Sequence, residues 1–354
     1  MKELNFPYHF LNHTPWNTQG SALWPASTFS LHRNIARYPF PHKQTKAQAQ
    51  HVMELLKEAL LHHPLIQNPM FLDFAILTLS QKEFLLEHFF VPDGVFEDRP
   101  HQGLITDSSG TFLAGINLCD HLLLQRVDFT GSWHDTWNTL LSIESHLSKK
   151  IEYAFSTQFG YLTSDIHHCG TGLSIRAYLH LPAILYEEEL SALSSVQEDC
   201  MISPIGKKSD TATFQGDVVV VQNKYSLGLS EEHLLKQLYS AANNLINSEK
   251  AQRLSLQSAS SSAMKDLVSR SFGVLLHSYQ LPTQEALEAL SLLKLGVDLG
   301  WVKGLSDAQI NNLFFKCRKG HLLAELKEDI SQEALLHKRA EFIHAALKEA
   351  KLVI

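Results

Sequence analysis

Apolar positions recur at helical spacing in several separate stretches. Across residues 43–63, Val52, Leu55, Leu56, Ala59 and Leu60 share one face and predict an amphipathic helix. Across residues 135–155, Trp137, Leu140, Leu141, Leu147, Ile151 and Phe155 predict a second. A third begins at Ser230, a hydroxyl cap followed by Glu231 and Glu232 against the positive end of the helix dipole, and runs to about residue 248. Strand-like patterning lies between them. Residues 103–106 and 111–118 predict a hairpin turning at Asp107–Gly110, and residues 177–181 alternate up to Pro182. Residues 217–221 have the pattern of a buried strand. Residues 71–79 and 84–90 are apolar without a deciding period. Residues 1–42 are rich in Pro, Asn, His and aromatics and show little helical periodicity.

After a Ser-rich linker at residues 257–263, every pattern is helical. Thr283 reads as one cap, Ser306–Gln309 as a capping box and Ser331 as the start of a last helix. The fold class expected is therefore α+β, with a mixed domain over residues 1–255 and an all-helical domain over residues 264–354. The helical domain's apolar faces call for a partner surface. Either a second copy of the chain or the first domain would supply it.

Bulk composition narrows the function. The chain has 354 residues, 44% hydrophobic and 19% charged, with a net charge of −7. That balance argues against a nucleic-acid binder. Its apolar runs fall short of the ~18 residues of a membrane span, and MKELNFPYHF lacks the apolar core of a signal peptide. The expectation is a cytoplasmic protein. Cys119, Cys169, Cys200 and Cys317 have no CxxC spacing and are expected as reduced thiols.

Candidate chemistry concentrates in GYLTSDIHHCGTGLSIRAYLHLPAIL, residues 160–185. Gly160, Gly170 and Gly172 would permit tight turns and close backbone approach to a ligand. Asp165, His167, His168 and Cys169 lie between them, all capable of holding protons or metals.

This stretch resembles the ATP:guanido phosphotransferases, and in particular the bacterial protein-arginine kinases. Gly160-Tyr161-Leu162-Thr163-Ser164, Gly170-Thr171-Gly172-Leu173 and His180-Leu181-Pro182 stand where that family has GYLTS, GTGL and HLP. Thr14-Pro15-Trp16, Arg33-Asn34, Pro39-Phe40-Pro41, Asn117 with Asp120-His121-Leu122, Tyr153-Ala154-Phe155, Leu227–Glu231 and Leu295–Gly300 follow other family motifs in the same order. The resemblance implies a guanido-kinase-type antiparallel sheet flanked by helices, then a helical dimerisation domain. It also implies transfer of the γ-phosphoryl group of MgATP to a guanidinium nitrogen. Partners of the family's kind are a zinc-binding activator and an AAA+ unfoldase.

The same alignment shows what has changed. The phosphate-binding arginines of the family fall on Thr28, Ser30, Leu123 and Ser174, with Arg176 two positions beyond the last. The paired glutamates that include the catalytic base fall on Leu118 and Cys119, while Asp120 is kept. The reactive-site cysteine falls on Asp165 and a further glutamate on Asp210. His88 matches a histidine near the adenine nucleotide, and Lys207 and Lys208 offer replacement charge. In the last helix, the receptor motif RDxxRA falls on Leu335–Ala340 and loses its first Arg-Asp pair.

Three readings follow. The first is a degenerate kinase acting as a scaffold or regulator in a chaperone or protease pathway. The second is an active kinase with a rebuilt site using Asp120, Asp165 or Asp210 and binding MgATP. The third is a metal-binding protein using Cys119, His121, Asp165, His167, His168 and Cys169.

Overall fold

The structure, a computed structural model, describes residues 14–17, 23–89, 91, 99–186, 200–204, 215–258, 261–326 and 330–354. An eight-stranded antiparallel sheet runs in the order β2-β3-β4-β5-β1-β8-β10-β9. Its strands are β1 (Ala26–Arg33), β2 (Met70–Asp73), β3 (Gly103–Thr106), β4 (Phe112–Ile116), β5 (Leu122–Asp128), β8 (Leu173–His180), β9 (Cys200–Pro204) and β10 (Val218–Asn223). Two-residue strands β6 (Phe155–Ser156) and β7 (Gly160–Tyr161) form a separate hairpin.

Both sheet faces are covered, and the strand alternation sorts side chains between them. Phe29, Leu31, Leu124, Ile175, Ala177 and Val221 face helices α1 (Lys46–Leu61), α3 (Trp133–Ser148) and the first part of α5 (Glu231–Ser258). Leu104, Leu113, Leu123, Val127, Tyr178 and Val220 belong to a second apolar cluster with Trp16, Phe84, Phe89 and Phe315. That second cluster brings together the segment around Trp16, helix α2 (Leu79–Phe89) and the C-terminal helices. Short α4 (Pro182–Tyr186) follows β8 directly.

The C-terminal part comprises α6 (Ser262–His277), α7 (Thr283–Asp298), α8 (Asp307–Lys316), α9 (Lys319–Leu326) and α10 (Gln332–Ala346) around their own core. These helices also pack on the first domain. The Trp16 and Phe315 rings stack at 4.3 Å and 5°. Glu87 on α2 accepts hydrogen bonds from the Gly320 and His321 backbones and pairs with His321 Nδ1 at 2.9 Å. Much of the apolar surface expected to need a partner is thus used within the chain. Among the described residues no helix is long and apolar enough to cross a membrane.

Several sequence expectations are corrected. Leu55 is exposed while Val52, Leu56 and Leu60 form the buried face of α1. Helix α3 ends at Ser148, so Phe155 lies in β6 and is 60% exposed. Helix α5 continues ten residues past the expected end, through Ser258, and much of the supposed linker is helix, with Ser261 capping α6 through a bond from Met264 N. Pro282, not Thr283, is the cap of α7. The capping box of Ser306 with Gln309 and the Ser331 cap stand as expected.

Candidate functional site

Alternate residues Thr28, Ser30 and His32 project from one face of β1. The register places Ser30 opposite Gln125 on β5 and Ser174 on β8, Thr28 opposite Arg176, and His32 opposite Leu123. Five positions singled out by the resemblance, Thr28, Ser30, Leu123, Ser174 and Arg176, therefore meet on three adjacent strands. Their chemistry is mainly neutral. The Ser30 hydroxyl donates to Gln125 Oε1 at 2.9 Å, and the Gln125 amide donates to Phe89 O at 2.6 Å. Leu123 is buried in the second apolar cluster. Arg176 is half-buried, and its Nε donates to Gln222 Oε1 at 2.8 Å on neighbouring β10. Leu118, at the position of a family glutamate, is buried with its side chain over the bare Cα of Gly115.

His88 is enclosed by protein. Its Nε2 donates to Gly110 O at 3.0 Å, Nδ1 lies 3.4 Å from His321 Nε2, and the Trp16 ring stands edge-on at 5.5 Å. Lys207, Lys208 and Asp210 lie outside the described residues.

At the far end of β1, Asp120 is a hub rather than a free base. It accepts from Asn34 Nδ2 at 2.6 Å and Ser164 N at 2.7 Å on one oxygen, and meets His32 Nδ1 at 3.0 Å on the other. Burial acts to raise this carboxyl, but the hydrogen bond and charge of His32, with the Ser164 and Asn34 donors, outweigh it and hold the pKa at about 2. His121 is held equally firmly: Nδ1 accepts from Ile35 N at 2.9 Å, and Nε2 lies 2.9 Å from Pro39 O. His32, Asn34 and Ser164 were not among the sequence candidates. The polar alternation Thr28-Ser30-His32 was the available signal for His32.

The glycines of residues 160–185 bring the chain close to itself, not to a ligand. Gly160, Gly170 and Gly172 have φ of 69°, 112° and 69°. A Cβ on Gly170 would lie 2.5 Å from Ser226 O, and one on Gly172 would meet Arg33 Nη1 at 2.5 Å. That arginine is itself buried: Nε pairs with Glu144 at 2.7 Å, Nη1 donates to Thr171 O at 2.9 Å, and the guanidinium lies 3.5 Å over the Tyr161 ring.

Between those glycines the side chains disperse. Asp165 is exposed and binds His167 locally, through the backbone N at 3.0 Å and Nδ1 at 2.8 Å. His168 stacks on His32 at 4.1 Å and 15°, and burial, then the neighbouring His32, push its pKa down to about 3. The Cys169 thiol sits 3.3 Å from Thr163 Oγ1, and Cys119 is exposed. Among the described residues no three His, Cys, Asp or Glu side chains converge to hold a metal. The metal reading built on Cys119, His121, Asp165, His167, His168 and Cys169 is therefore corrected: Asp165 and His167 pair with each other, His168 stacks on His32, His121 is held by Ile35 and Pro39, and Cys169 lies beside Thr163, so these groups do not converge on one point.

In α10, Leu335 is buried, and Arg339 donates from Nε to Cys317 O at 2.6 Å and from Nη1 to Leu281 O at 2.8 Å. The arginine that survives from the receptor motif thus ties helices together.

Comparison with known proteins agrees with this architecture. Residues 51–252 match the family model described as ATP:guanido phosphotransferase, C-terminal catalytic domain. Residues 261–352 match the one described as protein-arginine kinase McsB C-terminal domain. The chain is 37% identical over 340 residues to a protein-arginine kinase of Chlamydia pneumoniae, covering 93% of each chain. It is 33% identical over 305 residues to that of Chlamydia muridarum, covering 84% of this chain and 83% of the other. Among solved structures, a lombricine kinase shares the fold with a TM-score of 0.51 at 19% identity, covering 67% of this chain and 71% of that one. With an antiparallel sheet bearing the family's motif positions on one face and matching helical domains behind it, this chain belongs to the ATP:guanido phosphotransferases, in the bacterial protein-arginine kinase family.

Proposed function

We propose that this family member no longer transfers phosphate and acts as a protein scaffold or regulator. In this reading it works in the cytoplasm as a homodimer joined through its C-terminal helices. Its partners are of the family's kind, a zinc-binding activator and an AAA+ unfoldase of a chaperone or protease pathway.

The observation that carries this reading is the neutral character of the shared sheet face. A triphosphate in phosphoryl transfer is stabilised by preorganised cations. Of Thr28, Ser30, Leu123, Ser174 and Arg176, four bear no charge, and the fifth is bonded to Gln222. These residues do not fit the triphosphate of MgATP. Leu118 takes no proton where the family has a glutamate. Losing one transition-state donor costs about 10²–10³ in rate, and several such losses in one site leave little catalysis. Calorimetric titration of the purified chain with MgATP tests the reading directly: the heat of saturable binding should be missing.

A second reading, an active protein-arginine kinase with a rebuilt site, is favoured by Arg176, two positions beyond the place of a family arginine, and by the name of the 37%-identical relative. Lys207 and Lys208 would then supply point charge and Asp210 the acid. Phosphoarginine formed on a co-incubated protein, and lost in Asp210→Ala, supports that reading. Its absence with ATP present removes it.

A further inference from the structure

The C-terminal helices bury a cation with little to satisfy it. Lys294, on α7, is 2% exposed. An ammonium carries three N–H donors. Among the described residues it makes one hydrogen bond, to Asn311 Oδ1 at 3.2 Å, and a looser approach to the Phe314 ring at 5.9 Å. The carboxylate one helical turn along, Asp298, is engaged by Arg253, and Asp298 and Asp307 act on the ammonium through their charge. Removing a charge from water is costly unless partners replace the lost hydration. Burial brings the Lys294 pKa down to about 8, which still leaves the group mainly protonated at neutral pH.

Lys294 lines a cavity at the seam between the sheet and the C-terminal helices, about 600 Å³ including its part open to solvent. Tyr178 from β8 and Phe314 and Phe315 from α8 give it aromatic walls. Arg318 adds a second cation at its edge, donating from Nε to Phe314 O at 3.1 Å with its guanidinium 4.6 Å from the Phe315 ring. No Asp or Glu is among the described residues that line it. Such a surface disfavours a cationic or guanidinium ligand and suits an anion attached to an apolar body.

We propose that this cavity binds a small organic anion, a single carboxylate, sulfonate or phosphate on a flat apolar body. The anionic group pairs with Lys294, and the body lies against the aromatic walls. This goes beyond the scaffold reading and does not depend on it, because the charge comes from α7 rather than from the positions aligned with the family's phosphate clamp.

The full-length protein can be titrated with 8-anilinonaphthalene-1-sulfonate, following fluorescence, with uncharged N-phenyl-1-naphthylamine as the control. One saturable sulfonate site per chain is expected. Lys294→Met should weaken it at least about tenfold, Lys294→Arg should recover most of the loss, and the uncharged probe should respond to neither change. Absence of saturable binding to the wild type, or unchanged sulfonate affinity in a folded Lys294→Met variant, overturns the proposal. If Lys294→Met does not fold, Phe314→Trp narrows the cavity without touching the charge. It should weaken the sulfonate by a similar factor, and unchanged affinity there also overturns the proposal.

Discussion

Arg176 stands directly opposite Thr28 across the β1–β8 pair, and its Nε donates to Gln222 Oε1 at 2.8 Å. An arginine at this point of the sheet is thus bonded sideways to β10, while the position facing it offers only a hydroxyl. Thr28 across the pair and Ser174 two residues back are its neutral neighbours on that face, and Ser30 and Leu123 farther along it are neutral too. The scaffold reading rests on this arrangement.

If the face has been rebuilt around apolar packing, restoring one arginine should harm the fold. Leu123 is buried among Leu118, Val127, Trp16 and other apolar side chains. Leu123→Arg would force a charge into that cluster and is expected to cost about 3–5 kcal/mol. Urea denaturation measures this. A loss within about 0.5 kcal/mol would mean that the face is open enough to receive a cation.

Asp120 should act as a structural carboxylate with a defined pH window. Its folded-state pKa of about 2 lies below the ordinary 3.8. The unfolded chain therefore takes up this proton first as acid is added. The stabilisation is fully present above about pH 5 and fades as the pH falls through 4 towards 2. Its size is about 2 kcal/mol from the shift. Wild type should lose that much more stability than Asp120→Asn between pH 6 and pH 2, measured by urea midpoints. Parallel pH profiles for the two proteins would contradict the assignment.

The glycine positions separate strain from collision. Gly228 has φ of 79° with nothing within 4 Å of an added Cβ, whereas Gly170 has φ of 112° and would place its Cβ 2.5 Å from Ser226 O. Gly228→Ala should cost about 1–2 kcal/mol from the left-handed backbone alone. Gly170→Ala should cost about 2 kcal/mol more, because backbone must move. Equal losses by thermal or chemical unfolding would show that the loop relaxes freely.

Much of this was legible in the sequence, for identifiable reasons. Ser306 with Gln309 and Ser331 announced their helices through local capping chemistry that tertiary packing did not alter. The hairpin at Asp107–Gly110 was set by its turn. The central strands β1 and β5 were missed. Both faces of β1 are largely buried, so Thr28 and Ser30 are interior and His32 mostly so despite being polar, and an alternation rule that equates polar with solvent fails there. Run together, Leu122–Val127 has no alternation at all. The glycines of residues 160–185 were rightly read as sites of close approach, but Ser226, Arg33 and Gly170 are what approaches, and these are distant in sequence or visible only once the loop is folded. The motif positions were legible through the family resemblance. Their meeting on one face was not, since Ser30, Leu123 and Ser174 are joined only by strand pairing.

The most direct test is calorimetric titration of the full-length chain with MgATP, followed by mass spectrometry of a co-incubated protein for phosphoarginine. The scaffold reading predicts no saturable binding below millimolar nucleotide and no phosphoarginine. Micromolar MgATP affinity accompanied by phosphoarginine on the second protein would contradict it.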